Sequence, residues 1–173
     1  MANGVWTNNW TAVKNTMLLG GIYPGLNTLQ FSDGTTLARR SDNSTYTASP
    51  TAPTDLLTIR LGVGTNTPSA GDYSITSPSN FNYLSVSAND PVYDLSTATI
   101  TRSTIVTVQY AGNGSITLTE WGLFLPVYAG GNYGSTLGSF LAYRELFDSP
   151  IVIQQYQAAA LELTISLTLT NPQ

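Results

Sequence analysis

Leu161-Glu162-Leu163-Thr164-Ile165-Ser166-Leu167-Thr168-Leu169-Thr170 alternates apolar and polar side chains without a break over ten positions. Successive side chains of a strand point to opposite faces, so this period of two specifies a strand with one apolar and one polar face. On a helix the same leucines would scatter around the circumference instead of lining one stripe. The pattern predicts a half-buried antiparallel strand.

The same signal recurs upstream. Thr99 to Tyr110 (TITRSTIVTVQY) is rich in β-branched residues and reads as a strand. Ser115 to Val127 (SITLTEWGLFLPV) reads as the next one. Ala111-Gly112-Asn113-Gly114 lies between them and supplies residues that tolerate positive φ, so the two are expected to form a hairpin. Leu56 to Gly64 is a strand with Leu57, Ile59, Leu61 and Val63 on one face, ending in a Gly-rich turn. A further hairpin is expected around Asp33-Gly34, and Phe81 to Ala88 is another strand. Phe140 to Tyr156 carries Pro150 in its middle. Proline removes a ladder donor, so this segment predicts two strands or an edge strand with a break; a short helix over Leu141 to Phe147 is the alternative. Arg39 to Pro53, Thr65 to Asn80 and Ala129 to Gly138 read as loops. Near the start, WTAVKNTMLLGG is the one helical candidate, ending at Gly20-Gly21. The expected fold is therefore all-β: an antiparallel β-sandwich, jelly-roll-like, with an extended N-terminal arm. Residues 1–30 would form that arm or a short helix, and residues 31–173 a single β-sandwich domain.

Composition narrows the function. The chain has 173 residues, enough to bury a core without disulfides or metals. Charged residues are 9%, against roughly 25% in an ordinary soluble domain. Thr, Ser, Asn and Gly fill the gap, and a net charge of −4 gives only modest self-repulsion. Such a surface suits burial in an assembly, although a secreted β-domain would share it. Cys and His are both absent. That excludes disulfides, thiolate or imidazole metal ligands, and any Ser-His-Asp or Cys-His catalytic arrangement. The first residues hold neither a basic region nor an apolar run of the signal-peptide kind. No apolar stretch approaches the roughly 20 residues of a membrane-spanning helix. With one Lys (Lys14) and five Arg (Arg39, Arg40, Arg60, Arg102 and Arg144), no basic patch for nucleic acid is expected.

Few polar residues suggest chemistry. Glu120 shares a strand face with Ile116, Leu118 and Phe124. A carboxylate facing a core must find a partner, and Arg60 and Arg144 are the natural ones. Catalysis by Glu120 as general acid or base would need a second converging group, and none is visible. A register-fixing pair of Glu120 with Arg144 is the favoured reading. Asp33, Asp42, Asp55, Asp72, Asp90, Asp94 and Asp148 nearly all sit beside Gly, Pro, Ser or Asn and read as turn caps. Asp90 and Asp94 lack EF-hand spacing for Ca²⁺. GVGTNTPSAGD lacks the Lys and following helix of a phosphate loop. No cofactor is implied. Trp6, Trp10, Trp121 and ten tyrosines exceed what this core needs. Exposed aromatics at low charge density serve as interface anchors, so Trp6 and Trp10 in the arm and Tyr133 in the Gly-rich loop are the expected contacts. Sugar stacking is the competing use of such rings.

Two segments carry a resemblance. RLGVGTNTPSAGDYSI (Arg60 to Ile75) and SITLTEWGLFLPV followed by FLAYRELFDSPIVIQQYQAAALELTISLTL resemble small tailed-bacteriophage virion structural proteins. Their shared pattern is a GxG turn and an E-x-G-L strand, here Glu120, Trp121, Gly122 and Leu123. An Arg-bearing strand at Arg144, then Pro150 and Ile151, then the alternating strand from Leu161 complete it. The likeness runs from Arg60 onward, and the Gly-rich loop Ala129 to Gly138 is longer and more aromatic than the pattern requires. It implies a non-enzymatic virion component. Capsid decoration (cement) is the first expectation, with partners among copies of itself and neighbouring major capsid or tail proteins. A tail, neck or fibre adaptor, or a receptor- or glycan-binding module, is the alternative. Cell-wall sugar hydrolysis by Glu120 with an Asp is the weaker rival.

Overall fold

The computed structural model describes residues 4–12, 29–30, 32–34, 36–37, 59–78, 80–128 and 136–168. Ten strands follow in chain order: β1 (Val5–Trp6), β2 (Leu29–Gln30), β3 (Thr36–Leu37), β4 (Ile59–Gly62), β5 (Phe81–Ala88), β6 (Val92–Asp94), β7 (Thr99–Tyr110), β8 (Ser115–Tyr128), β9 (Thr136–Gln154) and β10 (Ala158–Thr168). Residues 8–12 are helical. The fold is all-β, with two antiparallel four-stranded sheets, the kind of layer from which a sandwich is built, and a small ribbon. Its contacts fall into two compact units, Met1–Thr51, Leu57–Ser79 and Thr117–Val152 in the first, and Ala52–Leu56, Asn80–Ile116 and Ile153–Gln173 in the second.

The first unit holds the sheet ordered β1-β9-β8-β4 and the ribbon β2-β3. Val5 pairs with Arg144 and Trp6 with Tyr143, so residues 4–12 dock on β9 of their own chain and do not extend as an arm. Thr7 explains the docking. It is fully buried, its amide donates to Ala142 O at 2.9 Å, and its hydroxyl donates to Leu141 O at 2.5 Å. Asn9 ties this segment to the ribbon: its amide group exchanges two hydrogen bonds with the backbone of Gln30, at 2.9 and 2.8 Å. The ribbon turns at Gly34, whose φ of 87° is the left-handed conformation that glycine adopts without cost. Leu61, Leu118, Phe124, Phe140 and Leu141 are among the buried residues of this unit.

The second unit holds the sheet β10-β7-β5, with β6 also paired to β7. All eleven residues of β10 pair with β7, from Ala158↔Gln109 to Thr168↔Thr99. Exposure along β10 alternates with the sequence, Leu161 and Leu163 buried and Glu162, Thr164, Ser166 and Thr168 exposed. Leu169 and Thr170 lie outside the described residues.

Two expectations are corrected. β7 and β8 form no hairpin: β7 has β10 on one side and β5 with β6 on the other, while β8 lies between β9 and β4. Turn residues reverse the chain locally, but they do not choose the partner. The reversal at 111–114 is instead tied to the one after β9, by Gln155 N–H to Gly114 O and Tyr156 N–H to Tyr110 O, each at 2.7 Å. Secondly, Phe140 to Gln154 is neither broken at Pro150 nor helical; it belongs to a single 19-residue strand. Asp148, Ser149 and Pro150 are exposed, so the missing donor falls where water can serve the neighbouring acceptors.

Candidate functional site

The most organised polar site of the first unit grows from Glu120 on β8. Register sets Glu120 opposite Gly62 and Trp121 opposite Leu61, so the two neighbours lie on opposite faces of the sheet. Both are buried, Glu120 at 0% exposure and Trp121 at 3%. Each face therefore has its own cover.

On the Glu120 face the cover is the Gly-rich loop. Gly64 N–H and Thr76 N–H each donate to Glu120 Oε1 at 2.9 Å. Val63 N–H to Thr76 O, 2.9 Å, and Thr119 Oγ1 to Gly64 O, 2.7 Å, close the loop onto the strand. The glycines make room. A Cβ on Gly62 would stand 2.6 Å from Glu120 Cγ, and one on Gly64 would collide with Oε1. Glycine inside a strand pattern marks such close approach. Here the GxG turn is a cradle for a buried carboxylate.

Arg144 on β9 neutralises it. Its Nε donates to Glu120 Oε2 at 2.6 Å, its Nη1 to Asp72 Oδ2 at 2.6 Å, and its Nη2 to Asn66 O at 3.0 Å. Asp72 Oδ2 also accepts from Ser69 N–H at 2.9 Å. Burial works against the guanidinium charge, but the hydrogen bonds to Asp72 and Glu120 outweigh it and raise the Arg144 pKa above its ordinary value. The described residues leave no buried side-chain polar atom without a partner. Three charges are thus held on a rigid frame with every donor and acceptor matched, the condition under which buried ions are tolerated.

The structure thus brings Glu120 and Arg144 together. Arg60, the other cation expected near Glu120, lies elsewhere: its guanidinium stacks 4.2 Å over the Phe124 ring and its Nη2 donates to Ser139 Oγ at 3.0 Å. Asp72, read from sequence as a turn cap, is that and also the second counter-charge of Arg144. The signal that could have found it was its place in the same motif as the two glycines.

On the Trp121 face the cover is aromatic. Trp10 stacks on Trp6 with centroids 5.1 Å apart, Trp6 meets Tyr143 edge-on at 5.1 Å, and Tyr143 lies 5.3 Å from Trp121. Trp6 and Trp10, expected as contacts for neighbours, are therefore half-buried in an internal stack. Such pairs add about 0.5–1.5 kcal/mol each beyond area burial. Tyr143 OH donates to Glu145 Oε2 at 2.9 Å, and burial raises the pKa of both groups. Tyr133 lies outside the described residues.

Among its described residues the second unit carries no comparable charge cluster. Asp94 caps its turn, accepting from Ser96 N–H at 2.9 Å, Ser96 Oγ at 2.6 Å and Thr97 Oγ1 at 2.8 Å. The bonds from Ser96 and Thr97 bring its pKa down to about 2. These partners give Asp94 the local role expected of a turn residue. Among the described residues no group of three acidic residues is placed to hold a metal. Large apolar side chains are exposed here: Leu95 at 94%, Val92 at 68% and Tyr93 at 64%.

Compared with protein families, with curated proteins and with solved structures, the chain matches none of them.

Proposed function

We propose that this chain is a virion structural protein of a tailed bacteriophage, most simply a capsid decoration (cement) protein that adds contact area between neighbouring subunits. One observation carries the reading. The segments behind the resemblance to such proteins are far apart in sequence, yet their distinguishing residues Gly62, Gly64, Asp72, Glu120, Gly122 and Arg144 lie in the first unit, where Gly62, Gly64 and Arg144 meet the buried carboxylate of Glu120 and Asp72 bonds Arg144. A motif of this kind preserves a frame. Glu120 has both oxygens engaged and no exposed surface, which leaves it no position from which to exchange a proton with a substrate. This burial supports the non-enzymatic role proposed here. Leu95, Val92 and Tyr93 on a charge-poor chain supply the apolar area that packing against other subunits needs. The partners proposed are copies of itself and neighbouring capsid or tail proteins.

The test is quantitative mass spectrometry of purified phage particles carrying the encoding gene. On the order of hundreds of copies per particle supports capsid decoration, and about six to a few dozen supports a neck, tail or fibre position. Absence from washed particles overturns the proposal.

A glycan-binding module is the second reading, favoured by one feature of the second unit. Thr164, Ser166 and Thr168 are exposed beside Thr99 and Thr101, and cross-strand hydroxyl pairs Thr99–Thr168 and Thr101–Ser166, each 3.1 Å, order them. An uncharged hydroxyl array of this sort matches neutral sugars. Saturable glycan-array binding, lost in Thr101→Lys, would support it.

A further inference from the structure

The two sheets differ in how their edges end. A free strand edge offers unpaired N–H and C=O groups to any other chain, and proteins blunt it with short strands, bulges, prolines or lysines. In the first unit the edge strands are β1, two residues, and β4, four residues. On one side of the second sheet, β5 carries a register shift between Tyr83 and Ser85, and β6 has three residues preceded by Pro91. The opposite edge is β10. It runs eleven residues without a register shift, a proline, a glycine or a lysine. Among the described residues it pairs with β7 alone.

We infer that β10 pairs antiparallel with β10 of a second copy of this chain, about a two-fold axis perpendicular to the sheet at Thr164. The strand's own sequence argues for that occupant. A two-fold of this kind keeps apolar residues opposite apolar ones, because the side-chain period is two. It sets Leu161 against Leu167 of the second copy and Leu163 against its Ile165. Leu161 and Leu163 are buried in the single chain while Ile165 and Leu167 remain partly exposed, so each half-covered residue gains a large aliphatic neighbour. On the other face, Glu162 meets Ser166 of the second copy and Ala160 meets Thr168. Hydroxyl pairs already order the seam between β7 and β10, and the polar face of β10 repeats the same residue types.

Charge selects the register. Glu162 is the one charged side chain of β10. Centring on Thr164 separates the two Glu162 positions by four residues, about 13 Å along the strand at the usual rise, beyond the roughly 8 Å screening length of physiological salt. Centring on Leu163 would halve that separation and set Leu167 against Ala159. The pairing is independent of any particle: a chain outside a virion would still dimerise this way, and a monomeric chain could still be a virion component.

The absence of cysteine makes the test clean. Sedimentation of the full-length chain should show a dimer, and Thr164→Lys should weaken it at least about tenfold. Thr164→Cys sits on the axis facing its own copy, where directly opposite Cα atoms are about 4.5–5.5 Å apart, within disulfide reach. It should cross-link under mild oxidation, whereas Thr168→Cys should not. A monomer at high concentration overturns the inference. So does a dimer in which Thr164→Cys fails to cross-link, or in which both cysteine variants cross-link alike.

Discussion

At the scale of single residues, Arg144 decides most. It is the sole guanidinium bonded to both Glu120 and Asp72 in the described structure, and Glu120 is wholly buried. Removing one partner of a buried pair leaves an uncompensated charge, which costs about 3–5 kcal/mol. Arg144→Ala should therefore lower unfolding stability by that amount in urea denaturation. Arg144→Met combined with Glu120→Gln should cost less than the two single changes added together, because the groups act as a unit. An unchanged midpoint in Arg144→Ala would remove the structural role assigned to the pair. Glu145 behaves oppositely. Burial raises its pKa, the hydrogen bond from Tyr143 lowers it in part, and Asp148 raises it further. A carboxyl whose folded pKa lies above its unfolded one stabilises the fold while protonated, and that contribution is lost as pH rises from the unfolded toward the folded pKa. Glu145→Gln should accordingly raise Tm at pH 7 and leave it almost unchanged at pH 4. Gly122 makes a steric prediction. A Cβ there would stand 2.7 Å from Leu141 Cδ1, so Gly122→Ala should destabilise by about 1–3 kcal/mol in the same assay.

At the scale of elements, β7 is the strand to watch. It is flanked along its length, by β10 on one side and by β5 and β6 on the other, and Val106 and Val108 are fully buried. Amides paired in the interior of a sheet exchange only on large opening events. Hydrogen exchange should therefore be slowest in the second unit at Thr104 to Val108 and faster in β5 near its bulge and in β6. Equal exchange across the three strands would contradict this order. Much at this scale was legible in sequence. The alternation in β10, the strand character of β7 and β8, and the turn at Asp33-Gly34 all follow from local stereochemistry. The partner of β7 was not legible, because a Gly-rich turn encodes a reversal and many ladders are compatible with it. The continuity of β9 through Pro150 was hidden for a related reason: whether a missing donor matters depends on solvent at that position.

At the scale of the molecule, β8 and β9 contribute residues to both compact units, and neither unit is a single stretch of chain. The sheet of the first unit has β8 and β9 as its two inner strands. A fragment ending at Gly114 lacks both and should show no cooperative unfolding transition by circular dichroism. A cooperative transition in that fragment would mean that the amino-terminal part folds without its central strands.

Sequence by itself determined that the stretch from Leu161 is a strand with a wet and a dry face, because alternation is a local property of the backbone. It likewise determined that Glu120 needed a cation, because an unpaired charge is not tolerated in a core. Sequence also named Arg144 as that cation, but only tertiary structure decided that Arg144 is shared with Asp72 and that the GxG turn admits Glu120. Tertiary structure also stacked Trp10 on Trp6 and Trp6 on Tyr143. Those outcomes depend on which backbones approach within a side chain's reach, a distance set by the pairing of strands remote in sequence.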